Sequence, residues 1–452
     1  MLNDYLLTLK DKKVSVIGAG VSNTPLIRML WDICTLAVHD KKTEDQMDPA
    51  FLSELKEHNV RLVLGSGYLD SIDGDIIFRT PGVRPDVPAL TEAKKRGAVV
   101  TSEMDVFFSL CPCPITAITG SDGKTTTSTV ISELLRAEGY RVFLGGNIGA
   151  PLLPRLDEMD ENSRVVVELS SFQLMDMTHA PNVAVITNVT PNHLDWHTGM
   201  DEYTNAKYNL LARQTADCVC VLNYDDETTR AFGGRCASEA KYFSLTPQTS
   251  GYSFDGESIL KNGAPLLKAS ELRIPGVHNV ANFMAAMAAT EHEVSIDSVI
   301  KVAGSFTGVE HRIEFVKEID GVKYYNDSIA SSPTRAEAGL RCFDCPIVLI
   351  AGGYDKKIAF DEFGELVCER VDTLLLCGAT ADKIEQAVMG AANPRKPHIY
   401  RFDNLDDTVA AARRLAKEGG VVLFSPACAS FDQFPNFAVR GRYFKELVNH
   451  LK

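Results

Sequence analysis

The nine residues Thr119-Gly-Ser-Asp-Gly-Lys-Thr-Thr-Thr127 leave this chain few folds to choose from. They follow an apolar run, Ile115 to Ile118, and open a segment of helical character, Ser128 to Glu138. A strand that turns through glycines into a helix start aims successive backbone N–H groups and the positive end of the helix dipole at one spot. Phosphate oxygens suit that spot. Lys124 can reach a transferable phosphate and the Thr125 hydroxyl can hold Mg²⁺, so Gly120, Ser121, Asp122, Gly123, Lys124, Thr125 and Thr126 are read as an ATP-binding loop. The spacing G-x-x-x-x-G-K-[ST] asks for a glycine at position 118, where Ile118 stands. An ordinary glycine-rich turn with a chance lysine is the alternative.

At 452 residues the chain exceeds the size at which single cores stop growing, so two or three domains are expected. A hydrophobic content of 45% can fill them. The net charge of −14 argues against nucleic acid and acidic membrane as partners, so a phosphorylated substrate must be held by local devices. Met1 to Lys13 has no signal-peptide core, and no apolar run reaches about 18 residues, so a soluble, cytoplasmic protein without membrane insertion is expected. The eleven cysteines include three close pairs, Cys111/Cys113, Cys218/Cys220 and Cys342/Cys345, but none with zinc-finger spacing to histidine, and they read as reduced thiols.

Three α/β blocks follow one another. In residues 1–110, Lys13 to Ile17 reads as a buried strand, Gly18-Ala-Gly20-Val-Ser-Asn23 as a turn and Thr24 to Trp31 as a helix. A second strand, Leu36 to Asp40, ends in an acid about twenty residues after the glycines, as in half of a dinucleotide fold, although Asn23 stands where the third glycine belongs. Asp75 to Phe78, Thr80-Pro-Gly82 and Ala98 to Thr101 continue the alternation. Residues 111–304 carry the phosphate loop and the runs Val142 to Leu144, Arg164 to Leu169, Val183 to Asn188 and Cys218 to Leu222. Their polar ends are expected to share one crevice with the loop, since ligands collect beyond the carboxyl ends of parallel strands. Residues 305–452 repeat the pattern with Lys323 to Tyr325, Ile347 to Ile350, Thr373 to Leu376 and Val421 to Phe424. The expected fold class is α/β in three domains, each an open, mostly parallel sheet with helices: Rossmann-like, phosphate-loop type and Rossmann-like.

Three further residues could carry chemistry. Glu168 closes a β-branched run, where a carboxylate can bind a hard cation such as Mg²⁺, or simply point into water. His193, Asp195 and His197 alternate and would share a face if extended; a structural histidine is the alternative. In the helical window Asp201 to Arg213, Lys207 lies one turn from Tyr203 and Leu211 within an apolar stripe. Burial favours the neutral amine, which can add CO₂ and become an oxygen ligand, whereas a snorkelling lysine at the stripe's edge would do neither.

Taken together, Thr119 to Thr125, Gly145-Gly-Asn-Ile-Gly149, Glu168-Leu-Ser-Ser-Phe-Gln-Leu174, Asn188-Val-Thr-Pro-Asn-His193, His278-Asn-Val-Ala-Asn282, His311-Arg312, Asn326-Asp-Ser328 and Ser425-Pro-Ala-Cys-Ala-Ser-Phe-Asp-Gln-Phe434 resemble the Mur ligase family through essentially the whole chain. That family's phosphate loop is the short form seen here. The Glu168 to Leu174 run and the last motif resemble its D-glutamate-adding branch. The resemblance implies an ATP-dependent amide ligase of peptidoglycan precursor synthesis, acting on UDP-N-acetylmuramoyl-L-alanine and D-glutamate as a monomer, with two Mg²⁺ ions and a carbamate on Lys207. It implies that Lys124, Asn147, His193 and Lys207 are catalytic, and that Thr125, Glu168, His193 and the Lys207 carbamate serve the metals. Asn279, Asn282, Arg312 and Asp327 would join the ATP contacts. The UDP substrate would lie against Gly18, Val21, Ser22, Asn23, Thr24, Asp40, Lys41, Lys42, Thr80, Pro81, Gly82, Asn147 and His193, and D-glutamate against Ser331, Lys356, Ser430 and the Phe437 backbone. Two positions depart from the family pattern: Ile329 stands where many relatives have lysine, and Asn192 where they have an acid. Nucleotide contacts from two blocks imply closure of the third about a hinge near residues 304 to 310.

Gly18, Gly20 and Asp40 alone would suggest an NAD-dependent redox enzyme, which leaves Lys124 without a task. A GTPase-like switch would need an Asn-Lys-x-Asp motif, absent from the sequence. Another amino-acid ligase of the same family, or a folate-type glutamate ligase, is the nearest rival.

Overall fold

The structure, a computed structural model, describes residues 2–194, 196–248 and 250–451. Its strands are β1 (Lys13–Ile17), β2 (Thr35–Asp40), β3 (Arg61–Leu64), β4 (Ile76–Arg79), β5 (Val99–Thr101), β6 (Ile115–Thr119), β7 (Val142–Gly146), β8 (Arg164–Glu168), β9 (Val183–Ile186), β10 (Val219–Asn223), β11 (Glu239–Ser244), β12 (Tyr252–Phe254), β13 (Ser258–Lys261), β14 (Ala264–Lys268), β15 (Glu314–Ile319), β16 (Val322–Asn326), β17 (Ile347–Ala351), β18 (Val371–Cys377), β19 (His398–Phe402) and β20 (Val421–Phe424). They form three sheets, in the orders β3-β2-β1-β4-β5, β14-β13-β12-β11-β10-β9-β6-β8-β7 and β15-β16-β20-β17-β18-β19. The first is wholly parallel. The second turns antiparallel only at β12 to β14, and the third only at β15.

Strand order decides where ligands can sit. In the first two sheets the connections reverse direction at one strand, and the crevice at its carboxyl end is the place where an open α/β sheet receives a ligand. Those strands are β1, between β2 and β4, and β6, between β8 and β9; in the third sheet the last strand, β20, is inserted between β16 and β17. The phosphate loop leaves β6, so it occupies the switch point of the largest sheet.

The chain divides into two compact units, residues 1–271 with 280–302, and residues 272–279 with 303–452. In the first, an apolar core runs from Leu9, Val14 and Phe107 through Ile115, Val165 and Ile186, and a smaller cluster gathers Ile17, Ile72, Ile77, Leu90 and Ala93. In the second, alternate residues of the parallel strands feed two cores: Leu349, Leu374 and Leu376 on one face, Val348, Ile350 and Leu375 on the other.

The helix after the phosphate loop is Lys124–Ala137. The window expected to be helical to Arg213 is helical only over Met200–Tyr208, because the Leu210 and Leu211 amides turn back onto Lys207 O and Tyr208 O; both leucines remain buried. No helix among the described residues is long and apolar enough to cross a membrane. All eleven cysteines are free thiols.

Candidate active site

Backbone geometry makes the phosphate loop. Gly120 and Gly123 have φ of +151° and +79°, conformations that a side chain disfavours. Space forbids one as well: a Cβ at Gly120 would lie 1.8 Å from Thr187 Oγ1, and one at Gly123 would lie 2.4 Å from Asn282 Oδ1. The loop is held from outside. The Asp122 N–H donates to Asn188 Oδ1 (2.9 Å), and the Ser121 hydroxyl lies 2.8 Å from Thr190 O and 2.9 Å from the Tyr203 hydroxyl. Lys124 Nζ donates to Gly120 O and Ser121 O, both at 2.9 Å, which keeps its charge over the loop. A bare backbone cradle with an ammonium above it fits a polyphosphate.

Polar ends of neighbouring strands gather at this loop. The Thr125 hydroxyl donates to Glu168 Oε2 (2.7 Å), and Asn147 Nδ2 donates to Glu168 Oε1 (2.9 Å). Glu168 is 1% exposed, so its expected alternative, a carboxylate pointing into water, does not hold. Both of these donors are neutral. No cluster of three His, Cys, Asp or Glu side chains suited to a metal occurs among the described residues. Thr125 and Glu168 therefore fit a cation such as Mg²⁺, which takes one or two protein oxygens and completes its shell with water and phosphate.

Lys207 is also 1% exposed and does not snorkel. Its Nζ donates to Gly120 O (2.7 Å) and lies 4.4 Å from the centre of the Tyr203 ring. Burial, reinforced by the Lys124 charge and opposed by Asp122, pushes its pKa down to about 7. A neutral amine is thus accessible beside the phosphate loop.

The histidines do not share a face. His193 is exposed with φ +55°; its N–H donates to Asn192 Oδ1 (2.9 Å), and its ring lies 5.0 Å from that of Phe172. His197 is buried instead, with Nε2 2.9 Å from Ser171 Oγ and Nδ1 3.0 Å from Glu202. The segment turns, with the Trp196 and His197 amides bonded to His193 O, so the period of two expected for an extended run is lost. Asp195 lies outside the described residues.

Beside this centre lies a cleft of about 370 Å³ between the first and second sheets. It joins Val21, Ser22, Asn23 and Pro81 of the expected UDP set to Asn147 and Gly149. The turn behind it is self-braced. Asp40 accepts the Ala19 N–H (2.7 Å) and the Lys42 N–H (2.9 Å), and Asn23 Nδ2 donates to Ile17 O and Gly18 O, both at 3.0 Å. Asn23 thus does with its amide what a third glycine would do with closer packing. The Asp40 carboxylate, which an NAD enzyme would turn to a ribose, is engaged by its own turn. Thr24 Oγ1 donates to Gly20 O (3.0 Å) and the Thr80 N–H to Ile17 O (3.1 Å). Gly18, Thr24, Asp40, Lys41, Lys42, Thr80 and Gly82 are not among the cleft's lining residues.

In the second unit, Lys356 Nζ reaches Ser331 Oγ (3.4 Å), and the Phe437 carbonyl accepts the Ser328 hydroxyl (2.8 Å). Ser430 Oγ is buried without a hydrogen-bond partner among the described residues, an opening for a polar ligand group. Asp327 turns inward: it accepts from Ser425 Oγ (2.7 Å) and the Ile313 N–H (3.3 Å), and burial pushes its pKa up to about 7. Asn279 Nδ2 donates to Pro275 O, and Arg312 sits in a tight turn, its N–H on Val309 O.

Sequence reasoning missed several supports. Arg79, 1% exposed, pairs with Asp176 and donates to Val83 O (2.5 Å) and Phe172 O (3.3 Å). Arg84 clamps Glu202, whose pKa falls to about 2 chiefly through that contact. Arg440 donates to Ser328 Oγ, Ser328 O, Cys428 O and Ala429 O. Arg79 had a signal, a cation between an apolar run and Thr-Pro-Gly; Arg440 had none.

A shortened phosphate loop at the switch point of a large α/β sheet, in a chain that forms two further α/β sheets, defines a three-sheet nucleotide-using enzyme. Residues 118–290 match the Mur ligase middle domain, and residues 311–428 match the Mur ligase glutamate ligase domain. The UDP-N-acetylmuramoylalanine--D-glutamate ligase of Acetivibrio thermocellus is 48% identical over 100% of this chain and 99% of its own, and that of Clostridium kluyveri is 47% identical over 99% of each. Among solved structures, a UDP-N-acetylmuramate-alanine ligase from Thermotoga maritima has the same fold, at a TM-score of 0.58 and 19% identity over 98% of this chain and 100% of its own. A MurF ligase from the same organism, in complex with ADP, matches at 0.55 and 17% over 98% and 96%. The chain belongs to the Mur ligase family, within the group of UDP-N-acetylmuramoylalanine--D-glutamate ligases.

Proposed function

We propose that this protein adds D-glutamate to UDP-N-acetylmuramoyl-L-alanine at the expense of ATP. The observation that carries the reading is Glu168, whose two oxygens join Thr125 of the phosphate loop to Asn147 of the cleft. A phosphate donor and a carboxylate acceptor held on those two sides meet at one point.

A carboxylate anion repels nucleophiles and offers no leaving group, so it must be activated before it can form an amide. The γ-phosphoryl of ATP passes to the L-alanine carboxylate, giving an acyl phosphate and ADP. The D-glutamate amine then attacks the carbonyl through a tetrahedral intermediate, inorganic phosphate leaves, and an amide remains. Catalysis here is positioning and charge neutralisation. The loop N–H groups and Lys124 hold the phosphates, and Asn147 orients the acceptor carboxylate. Thr125 and Glu168 would hold Mg²⁺, which would supply positive charge for the crowded oxygens. His193 and a Lys207 carbamate would hold a second ion. Ser331, Lys356, Ser430 and the Phe437 backbone hold D-glutamate; the roles of Asn279, Asn282, Arg312 and Asp327 toward ATP belong to the same reading, as do a cytoplasmic, monomeric state and the domain limits 1–110, 111–304 and 305–452.

The test is phosphate release from ATP in the presence of UDP-N-acetylmuramoyl-L-alanine, screened across D- and L-amino acids. Release should require D-glutamate, and with an ¹⁸O-labelled acceptor carboxylate one label should appear in the phosphate. Release that depends on a different amino acid would reassign the substrate, and unlabelled phosphate would remove the acyl phosphate.

A further inference from the structure

One carboxyl in the wall of the cleft has no part in the chemistry above. Glu103 is the first residue of the helix Glu103–Leu110; it is 6% exposed and lines the cleft with Ser22 and Asn147. Its Oε1 accepts the Leu153 N–H (3.1 Å), and the carboxyl makes no other hydrogen bond among the described residues. The cations on surrounding elements are closed into pairs of their own, Arg79 with Asp176, His179 with Asp105, Arg155 with Glu158 and Arg28 with Glu54, while Asp157 near Leu153 is a further anion. Among the described residues no cation neutralises Glu103, and a buried carboxyl without one favours its neutral form. Burial indeed pushes its pKa up to about 7, opposed only by the Leu153 N–H.

The proposed substrate brings a diphosphate and a carboxylate into this cleft. An ionised Glu103 would repel it, whereas a protonated carboxyl is a hydrogen-bond donor. We propose that Glu103 is a specificity-determining residue that binds the sugar nucleotide as a neutral acid, with Oε1 kept on Leu153 and the Oε2 hydroxyl donating to an oxygen of that anion. The inference rests on the function proposed above and names a contact for that same site. The proton comes from solvent, so binding is linked to proton uptake: affinity is full below the pKa of the free enzyme and falls as pH rises through it.

The experiment is calorimetric titration of the intact protein with UDP-N-acetylmuramoyl-L-alanine, without ATP, from pH 6 to pH 8 in buffers of differing ionisation enthalpy. This ligand has no group of its own that titrates in that window. For the wild type, Kd should rise about tenfold from pH 6 to pH 8, the factor expected for a single group of pKa near 7 that must be protonated. Binding at pH 8 should take up close to one proton. Glu103→Gln keeps both the acceptor for Leu153 and a donor toward the cleft, so its Kd should stay within about twofold across the range and its proton uptake should vanish, isolating Glu103 from Lys207. Glu103→Ala should bind weakly at every pH. A wild-type Kd that does not change with pH, binding without proton uptake, or a Glu103→Gln profile as steep as the wild type would overturn the inference and leave the proposed reaction standing. Failure of the wild type to bind this sugar nucleotide at any pH would overturn both.

Discussion

Lys207 joins two properties that oppose each other in most proteins: a cationic residue type and near-complete burial. Desolvation lowers its folded-state pKa far below the unfolded value, so the neutral form grows as pH rises through about 7. Only that form adds CO₂. With ¹³C-bicarbonate, a carbamate resonance should therefore strengthen between pH 6.5 and 8.5 and be missing from Lys207→Met; a spectrum without it at pH 8.5 would remove the modification. For stability, the unfolded chain binds this proton at pH values where the folded one does not, so the contribution is lost progressively as pH falls from about 10.5 to about 7 and no further below that. Residue-scale legibility was uneven here. The apolar stripe around Lys207 is plain in the sequence, but its edge, where a lysine snorkels, cannot be told from its centre without the loop that covers it. For His193 and His197 the alternation was visible and the turn that breaks it was not, so the buried histidine proved to be the second.

Single elements owe their shape to side chains that arrive from elsewhere. Arg440, 4% exposed in the helix Phe437–His450, ties the Asn326–Ser328 end of β16 to the Cys428–Ala429 segment after β20 by four hydrogen bonds. Replacing it by methionine leaves three carbonyls and a hydroxyl without that donor, at a cost of about 2–4 kcal/mol. Chemical denaturation should place Arg440→Met in that range. Arg440→Lys should recover only part of it, because an ammonium cannot reproduce the fork. A loss below about 0.5 kcal/mol for the methionine variant would mean the contacts are redundant. The central parallel strands were legible because burial on both faces writes them as continuous apolar runs, as in Ile347 to Ile350 and Val421 to Phe424. β3, β15 and β19 escaped because they are edge strands with half-exposed, charge-bearing sequences such as His398-Ile-Tyr-Arg-Phe402. The hairpins of β12 to β14 were hidden in a stretch without a strong period.

On the scale of the molecule, the first unit holds two sheets with a core shared between them, beside a smaller apolar cluster of Ile17, Ile72, Ile77, Leu90 and Ala93. Apolar contacts run without interruption from Leu9 to Phe232, and Arg79 with Asp176 and Arg84 with Glu202 add ion pairs between the sheets. Elements that share a core unfold together. Calorimetry with hydrogen exchange should find residues 13–101 and 115–268 losing protection in one transition. Two separated steps within that unit would contradict it. The sequence marks a change of block near residue 110, where one strand-and-helix pattern gives way to the next, yet it carries no sign that packing continues through it; that depends on contacts such as Glu103 with Leu153, fifty residues apart.

A core shared by both sheets turns the cleft and the phosphate loop into a fixed gauge. The span from sugar nucleotide to activated acid cannot stretch to suit the cargo. A precursor bearing one more amino acid would carry its terminal acid about 3.5 Å too far, and one lacking L-alanine would stop as far short. Rejection of both by length alone follows from a core that the two sheets share.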